Sequence, residues 1–310
     1  MEHSDSKRVL VCDKISPQGL QILSSFGLRF DYIPDITHRE LWSRIATYDA
    51  IIVRGSTKLD RNLLDRAKRL RAIGRAGVGL DNIDLEVAAE KKIAVLNTPD
   101  ALTNAVGEHA FGLMLALAKN ISVADHLIKR GRWPKTELVG IELRRKVLGL
   151  VGVGRIGQKV ARLAKAFDMR ILGYDVIAID PKVLEELGVM MVDLGTLLQE
   201  SDFVSIHVPL TDQTRHLIDS KKLRTMKRSA VLVNTSRGAV IDERALYQAL
   251  KTGVISGAGL DVFEKEPPRR KRLLRLPNVV CTPHIAGQTP EAQEDAALQI
   301  ARLVSQTLAE

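Results

Sequence analysis

Short runs of β-branched and aliphatic residues alternate with helical segments along the chain, and this alternation limits the possible folds more than any other feature. In the first hundred residues the apolar runs are at 9–12, 28–33, 51–53, 72–73 and 93–96. Helix-start signals lie between them: Ser16 before Pro17, the capping box of Thr37 and Glu40, Asp60 and Asp84. Such alternation predicts an α/β fold with a parallel sheet, here a first unit over about residues 1–100.

A second alternation of the same kind begins at residue 146. Its apolar runs are at 146–151, 171–174, 190–192, 203–208, 230–234, 255–262 and 279–282. Runs this continuously apolar are typical of strands that are buried on both faces of a parallel sheet. A helix is predicted at 242–250, and a final helix, capped at Thr289, runs to about Leu308. We expect this final helix to return to the first unit.

An Ala- and Leu-rich segment, residues 105–119, lies between the two alternations. It is apolar on almost every face of a helix, which predicts burial between domains or between subunits.

Composition sets the class of protein. The chain has 310 residues, of which 45% are hydrophobic and 27% charged, as in an ordinary globular protein of two domains. A net charge of +9 attracts anions, but the basic residues are scattered and only 4% of residues are aromatic. The basic run at 269–272 favours a solvated loop over a nucleic-acid clamp. We therefore predict neither a nucleic-acid partner nor a metal site.

Two further patterns concern location and redox state. The apolar runs are shorter than a membrane span, and residues 1–8 are polar, unlike a signal peptide, so we predict a cytoplasmic protein. Cys12 and Cys281 each lie in an apolar run, which predicts reduced, buried thiols.

The strongest local motif is a glycine-rich turn after the run that ends at Val151. Gly152, Gly154 and Gly157 have the spacing in which a strand turns into a helix whose N-terminus binds a pyrophosphate. Asp175 closes the next run, 18 residues after Gly157. A carboxylate at that place would accept hydrogen bonds from the adenosine ribose and repel a 2′-phosphate. The motif therefore predicts an NAD site rather than an NADP site.

Candidate catalytic side chains follow the later runs of the second unit, at the edge where open parallel sheets bind ligands. They are Arg237, Asp261, Glu266 and His284, and they could supply a cation, carboxylates and a base for oxidising an alcohol beside a carboxylate. His207 also ends a run. Spacing alone leaves His207 and His284 equally possible as the base.

Three motifs in this order resemble the D-isomer-specific 2-hydroxyacid dehydrogenases. They are residues 234–238, 261–267 and 283–287, and Arg54, 74–82 and 97–99 in the first unit are similar to the same family. The resemblance implies two Rossmann-like or flavodoxin-like parallel-sheet domains, with the nucleotide domain inserted into the substrate domain. The implied boundaries are 1–100 and 287–310 for the substrate domain and 101–286 for the NAD domain. A homodimer built on the 101–130 helix region is also implied.

The resemblance also assigns roles. His284 would move the proton of the C2 hydroxyl, Glu266 would orient it, and Arg237 would bind the substrate carboxylate, while Asp261 would hold the nicotinamide carboxamide. The implied cofactor set is Gly152, Gly154, Arg155, Ile156, Gly157, Asp175, His207, Val208, Pro209, Thr214, Thr235, Ser236, Asp261, Ala286 and Gly287. The implied substrate set is Arg54, Ser56, Arg75, Val78 and Gly79.

Within the family, the resemblance is nearest to the branch that oxidises D-3-phosphoglycerate, the first step of serine biosynthesis. Arg54, Arg75 and Lys135 are candidate phosphate ligands. Because the chain ends at Glu310, before the regulatory domains of longer members, we expect no feedback inhibition by serine. Two other functions stay open: a glyoxylate or hydroxypyruvate reductase with the same catalytic residues, and a corepressor-like protein that binds NAD without turnover.

Overall fold

The computed structural model describes residues 7–269 and 271–310, which form two compact units. Unit 1 combines the described part of Met1–Leu102 with Gly287–Glu310, and unit 2 is Thr103–Ala286. The prediction of a polar start falls largely on residues 1–6, which lie outside the described residues. Of the predicted basic loop at 269–272, Arg270 also lies outside them, whereas Lys271 and Arg272 begin a short helix, Lys271–Leu274, so the prediction of a loop was wrong for these two residues.

Unit 1 is a five-stranded parallel sheet with helices between the strands. Its strands are β1 (Arg8–Val11), β2 (Arg29–Tyr32), β3 (Ala50–Val53), β4 (Ala72–Arg75) and β5 (Ala94–Asn97), in the order β2-β1-β3-β4-β5. Its first helices are α1 (Pro17–Ser25), α2 (His38–Arg44), α3 (Arg61–Arg66) and α4 (Leu85–Glu90), with a 3-10 turn at Ile45–Thr47. The strand order is that of flavodoxin-like folds.

The four helix starts predicted in unit 1 are confirmed. The side chains of Ser16, Thr37, Asp60 and Asp84 each accept a hydrogen bond from a backbone amide in the first turn of the following helix. These caps satisfy amides that have no partner within the helix, which is why polar residues mark the helix starts in the sequence.

Unit 2 is a seven-stranded parallel sheet. Its strands are β6 (Val147–Val151), β7 (Arg170–Tyr174), β8 (Val189–Met191), β9 (Phe203–Ile206), β10 (Val231–Asn234), β11 (Gly257–Leu260) and β12 (Val279–Cys281), in the order β12-β11-β10-β9-β6-β7-β8. Its helices are α5 (Thr103–Ala118), α6 (Ile121–Ile128), α7 (Arg155–Ala166), α8 (Pro181–Leu187), α9 (Leu194–Glu200), α10 (Ser220–Thr225), α11 (Glu243–Lys251) and α12 (Lys271–Leu274), with a 3-10 turn at Gly238–Val240.

Strand order in unit 2 reverses between β6 and β9, which are neighbours in the sheet but not in sequence. Ligands of open parallel sheets bind outside the carboxyl ends of the strands at such a reversal. The predicted α/β class, with two parallel sheets, is confirmed, and the observed order is the Rossmann arrangement extended by one strand.

The last helix, α13 (Pro290–Ala309), belongs to unit 1 and packs on α1 and β4. Thr289 caps it, as predicted. Small residues allow the close approach: a Cβ added to Gly74 would lie 2.6 Å from Val304, and one added to Gly19 would lie 2.9 Å from the Cβ of Ala297. The helix therefore completes one face of the unit 1 core.

Helix α5 packs within unit 2 on α7 and on β10, β11 and β12. Its residues Ala110, Phe111 and Met114 are in the unit 2 core. Burial of the 105–119 segment was predicted between domains or subunits, but much of it is provided by the sheet and helix of its own unit.

The two cysteines differ in exposure. Cys12 is buried, as predicted, and burial raises the pKa of its thiol. Cys281 is exposed, so the prediction of a buried thiol was wrong there. The physical reason is that β12 is the edge strand of its sheet, so a neighbouring strand lies along only one of its two edges.

Across residues 7–269 and 271–310, no single helix is both long and apolar enough to cross a membrane; α5 and α6 meet that test only when taken together, and they are bent by 62°. In the described part of the chain no group of three or more His, Cys, Asp or Glu side chains could hold a metal ion.

Candidate active site

The glycine-rich turn connects β6 to α7 at the strand reversal of unit 2. Gly152 has φ +97°, and a Cβ there would lie 2.7 Å from the carbonyl oxygen of His207. A Cβ on Gly157 would lie 2.2 Å from the carbonyl oxygen of Gly152, whereas Gly154 has open space around its Cβ position. Helix α7 begins at Arg155, followed by Ile156, so its N-terminal amides and dipole are next to this space. The turn thus has the features of a pyrophosphate site.

Asp175 follows β7 and is tied to the glycine turn. Its Oδ2 accepts a hydrogen bond of 2.7 Å from the amide of Val153, and its Oδ1 accepts one of 3.0 Å from the amide of Ile177. Each carboxylate oxygen keeps a second lone pair, which is available to hydroxyl donors. The side chains of Val176 and Ile177 beside it are 85% and 70% exposed. This is an anionic, partly apolar surface suited to a ribose with an attached base.

Two buried polar atoms at the ends of β9 and β10 have no hydrogen-bond partner within the described chain. They are Nδ1 of His207 and Oγ1 of Thr235. An unsatisfied buried polar atom is costly, so such atoms indicate a place where a ligand or water binds. Together with the glycine turn, they show that the donor set of unit 2 fits a dinucleotide.

The other predicted cofactor residues at this edge bond mainly to one another. Thr214 donates to the carbonyl of Pro209 at 2.6 Å, which closes the loop after Val208. The amide and hydroxyl of Ser236 both donate to Oδ1 of Asn234. Ala286 is buried in unit 2, whereas Gly287 is the first residue of the second segment of unit 1.

Burial separates the two histidines that spacing left open. Burial lowers the pKa of His207 to about 3, and its Nε2 lies 2.9 Å from the hydroxyl of Ser205. His207 is therefore neutral at physiological pH and too weak a base to take a proton from an alcohol. His284 has a carboxylate partner instead.

His284 and Glu266 form an ion pair when the imidazole is protonated. Nδ1 of His284 lies 2.7 Å from Oε2 of Glu266, and Oε1 of Glu266 accepts from the amide of Phe263. The hydrogen bond to Glu266 raises the pKa of His284, while burial opposes it. Burial acts to raise the pKa of Glu266, but the bonds from His284 and Phe263 outweigh it and lower that pKa. Nε2 of His284 is thus left to exchange a proton with a substrate.

Arg237 lies in the loop that follows β10, just before the 3-10 turn Gly238–Val240. Its Nη1 donates to the carbonyl of Ser236 at 2.7 Å, and its own carbonyl accepts from the side chain of Asn234. The next residue, Gly238, touches the loop that bears Glu266: a Cβ there would lie 1.9 Å from the carbonyl carbon of Phe263. Only glycine permits this approach, which links the Arg237 loop to the Glu266 loop.

Asp261, which was predicted to hold the nicotinamide carboxamide, follows β11. Its side chain is fully buried, and its carboxylate accepts from the hydroxyl of Thr282 and from the amides of Ile285 and Ala286. The carbonyl of Asp261 also accepts from the amide of His284. Asp261 therefore holds the segment that carries His284.

One side chain of this cluster, His109 on α5, was not predicted from the sequence. Its Nε2 lies 2.9 Å from Oγ1 of Thr282. The available signal was a single histidine in a mostly apolar helix, which by itself does not identify a partner.

In unit 1, the predicted substrate residue Arg54 lies beside a buried carboxylate. Asp13, 2% exposed, accepts hydrogen bonds from the amide of Arg54, the hydroxyl of Ser56 and the hydroxyl of Thr57. The Arg54 guanidinium donates to two neutral oxygens, the carbonyl of Lys14 and Oε1 of Gln288. Both hydrogen-bond partners of the guanidinium are therefore neutral, and the Asp13 carboxylate acts on it electrostatically.

The remaining predicted substrate residues form the loop after β4. The carbonyl of Val78 accepts from the side chain of Asn97, and within the described chain the amides of Val78 and Gly79 donate no hydrogen bond. The Arg75 guanidinium packs against Gly77 and donates to the carbonyl of Ala76. The predicted phosphate contact of Arg75 stays a prediction. Lys135, in unit 2, is exposed.

A family model matches the larger part of unit 2. The model is described as "D-isomer specific 2-hydroxyacid dehydrogenase, NAD binding domain", and it matches residues 111–286. This match confirms the family and the NAD cofactor that were predicted from the sequence.

Curated relatives match nearly the whole chain. The D-3-phosphoglycerate dehydrogenase of Methanocaldococcus jannaschii is 46% identical over 302 residues, which are 97% of this chain and 57% of that protein. The hydroxypyruvate reductase of Thermotoga maritima is 44% identical over 304 residues, 97% of this chain and 98% of that protein. The chain thus spans little more than half the length of the phosphoglycerate dehydrogenases that it matches first.

The fold also matches solved structures. A glyoxylate reductase from Paecilomyes thermophila has a TM-score of 0.90 and 32% sequence identity, covering 98% of this chain and 96% of its own.

Proposed function

We propose a reaction from the premise that this chain belongs to the D-isomer-specific 2-hydroxyacid dehydrogenase family. The reaction is reversible hydride transfer between NAD and C2 of a small, anionic 2-hydroxy acid. The observation that carries this proposal is the pair of His284 and Glu266, 2.7 Å apart, in the same unit as Arg237 and the glycine turn.

His284 is the acid and base of the proposed reaction. In the oxidation it takes the proton of the C2 hydroxyl on Nε2, and in the reduction it returns that proton to the C2 oxygen. Glu266 bonds to Nδ1, which fixes the tautomer and stabilises the imidazolium. Because the pKa of His284 is raised, the protonated form needed for reduction persists to higher pH.

Arg237 binds the substrate carboxylate and polarises the C2 oxygen. A guanidinium can form two parallel hydrogen bonds with a carboxylate, which orients the acid as well as binding it. The contact of Gly238 with Phe263 holds the loop of Arg237 next to that of Glu266.

The residues that would hold NAD are those of the glycine turn and the neighbouring strand ends. The α7 N-terminus would bind the pyrophosphate and Asp175 the adenosine ribose, while His207 and Thr235 offer the unpartnered atoms Nδ1 and Oγ1. NAD supplies the hydride acceptor when it is bound. Val208, Pro209, Thr214, Ser236, Ala286 and Gly287 complete the proposed set.

The proposed substrate is D-3-phosphoglycerate, which would give the chain a role in serine biosynthesis. Arg54 supports this choice because it is a cation and its guanidinium donates hydrogen bonds to neutral oxygens rather than to a carboxylate. The amides of Val78 and Gly79 would receive the substrate carboxylate, and Asp13 orients Ser56 in the same unit.

The substrate is tested by comparing kcat/KM for 3-phosphohydroxypyruvate, hydroxypyruvate and glyoxylate with NADH. We expect the phosphorylated acid to give the highest value. Arg54→Ala should lower kcat/KM for it by about 10- to 100-fold, as loss of a hydrogen bond to a charged group does. The same variant should leave glyoxylate nearly unchanged, and Arg29→Ala, at an exposed position on β2, is the control.

A hydroxypyruvate or glyoxylate reductase is the second candidate. The observation that favours it is the near-complete mutual coverage with the hydroxypyruvate reductase of Thermotoga maritima. Preference for unphosphorylated acids, with no effect of Arg54→Ala on selectivity, would replace the first candidate by this one.

The homodimer is proposed from exposed apolar side chains in unit 2. Ile121 and Ile128 of α6 are 54% and 48% exposed, and Trp133 and Val139 are each 80% exposed. Such a concentration marks an interaction surface, and we propose a second copy of the chain as its partner. Light scattering should give twice the mass of one chain, and Ile128→Lys should reduce it. The cytoplasmic location stays a prediction.

A further inference from the structure

A chain of hydrogen bonds connects α5 to the segment that carries His284. His109 of α5 has a side chain that is 21% exposed, and its Nε2 lies 2.9 Å from Oγ1 of Thr282. The Thr282 hydroxyl lies 2.6 Å from Oδ1 of Asp261. Nε2 of His109 is itself 3.5 Å from that carboxylate oxygen. The three side chains therefore form one connected cluster.

The direction of these bonds follows from the number of protons available. A carboxylate only accepts, so the single hydroxyl proton of Thr282 is donated to Asp261. The hydroxyl oxygen must then accept from His109, which requires a proton on Nε2 of the imidazole. His109 thus starts a chain of donors that ends on the Asp261 carboxylate.

Asp261 uses its remaining bonds to support the backbone around His284. Its carbonyl accepts from the amide of His284 at 2.8 Å, and its carboxylate accepts from those of Ile285 and Ala286 at 2.9 Å each. His284 has φ +55°, a left-handed conformation that is unfavourable for a residue with a Cβ. Such a conformation persists only where neighbouring contacts enforce it.

We propose that His109 is a positioning residue for His284, acting through Thr282 and Asp261. The functional part of this inference rests on the proposed function, in which His284 moves the substrate proton. His109 touches neither the imidazole of His284 nor Glu266 in the hydrogen bonds of the structure. It acts by holding the Asp261 carboxylate in the orientation that accepts from the amides of Ile285 and Ala286.

Amide hydrogen exchange tests the positioning without any need for activity. In the wild-type protein the amides of Ile285 and Ala286 should be protected. In His109→Leu their exchange should accelerate by about 10- to 100-fold, as expected for loss of a hydrogen bond to a charged network. His109→Gln can place a donor near the position of Nε2 and should restore most of the protection. Unchanged exchange in His109→Leu would overturn the proposal.

Thr282 provides a second pair of variants should His109→Leu fail to fold. Thr282→Val removes the hydroxyl that transmits the bond, whereas Thr282→Ser keeps it. The proposal predicts fast exchange at Ile285 and Ala286 in the valine variant and near-normal exchange in the serine variant. Equal exchange in the two variants would overturn it. His38→Leu, at an exposed position of α2, is the control for the loss of a histidine.

Kinetics then show whether the position of His284 matters for turnover. His109→Leu should lower kcat for keto-acid reduction about tenfold, because small misplacements of catalytic groups are costly, and leave the KM for NADH within about twofold. His109→Gln should recover kcat. If the wild-type protein reduces no keto acid, the proposed function fails, yet the exchange experiment still decides the positioning. Normal kcat alongside fast exchange would overturn the functional part alone.

Discussion

Gly238→Ala is the substitution whose effect follows most directly from the geometry of the candidate site. The added Cβ would lie 1.9 Å from the carbonyl carbon of Phe263, 2.2 Å from its oxygen and 2.4 Å from the amide nitrogen of Glu264. All three are backbone atoms, so no side-chain rotation relieves the clash. One of the two loops has to move.

The size of the movement sets the size of the effect. Carbon atoms in contact are about 3.5 to 4.0 Å apart, so the loops must separate by more than 1 Å. Arg237 lies just before Gly238 on one loop. Glu266, the partner of His284, lies shortly after Phe263 on the other loop. A misplacement of about 1 Å can cost about 100-fold in rate, so we expect kcat/KM to fall by about two orders of magnitude. Overpacking should also destabilise the fold by about 1 to 3 kcal/mol.

Steady-state reduction of hydroxypyruvate by NADH measures this change, with NADH binding followed separately by fluorescence. We expect NADH binding to change much less than kcat/KM, because the glycine turn at 152–157 is not in the strained contact. Gly195→Ala in α9 is the matched control, since its Cβ would approach only the carboxylate oxygen of the Asp193 side chain, at 3.0 Å. Wild-type kcat/KM in Gly238→Ala would refute the linkage of the two loops.

Three further substitutions test individual residues. Arg237→Lys keeps the charge but cannot form two parallel hydrogen bonds with a carboxylate. The transition state should lose about 3 kcal/mol of stabilisation, so kcat/KM should fall by about two decades, and a fall of less than threefold would exclude the proposed role of Arg237. Glu266→Gln removes the anion that raises the pKa of His284, so the alkaline limit of reduction, which needs protonated His284, should move to lower pH in a pH–rate profile; an unmoved limit would contradict the pairing. His207 has a pKa of about 3 in the folded protein and about 6.5 in the unfolded chain. Below about pH 6.5 the unfolded state therefore binds a proton that the folded state does not, and the free energy of unfolding falls as the pH drops. Between pH 6.5 and 5.0, His207 lowers the free energy of unfolding by at most about 1.6 kcal/mol. The free energy of unfolding of His207→Gln, measured with urea, should lack that part of the pH dependence.

Helix caps and turns could be predicted from the sequence because they depend on residues that are close together in the chain. Thr37 and Asp60 cap helices because the amides that they satisfy are within three residues. The turn at Gly152 is similarly local, since its shape follows from the strand, the helix and the residues between them. The pairing of His284 with Glu266 spans 18 residues and came from the family resemblance instead.

Long-range contacts explain what the sequence did not reveal. His109 meets Thr282 across 173 residues, and no local pattern encodes that distance. Asp261 follows a strand, as ligand-binding residues do, but Thr282, Ile285 and Ala286, more than 20 residues away, donate hydrogen bonds to its carboxylate. Exposure of Cys281 depends on β12 being the last strand of the sheet, which is a property of strand order and not of residue type.

The most direct measurement compares the wild-type protein with His284→Gln in the NADH-dependent reduction of 3-phosphohydroxypyruvate, hydroxypyruvate and glyoxylate. We expect the wild-type protein to reduce at least one of these acids and the variant to be slower by about 100- to 10,000-fold, with NADH bound equally well by both. Turnover in His284→Gln within tenfold of the wild type would show that this imidazole is not the group that moves the proton. NADH binding without reduction of any of the three acids would contradict the proposed enzyme.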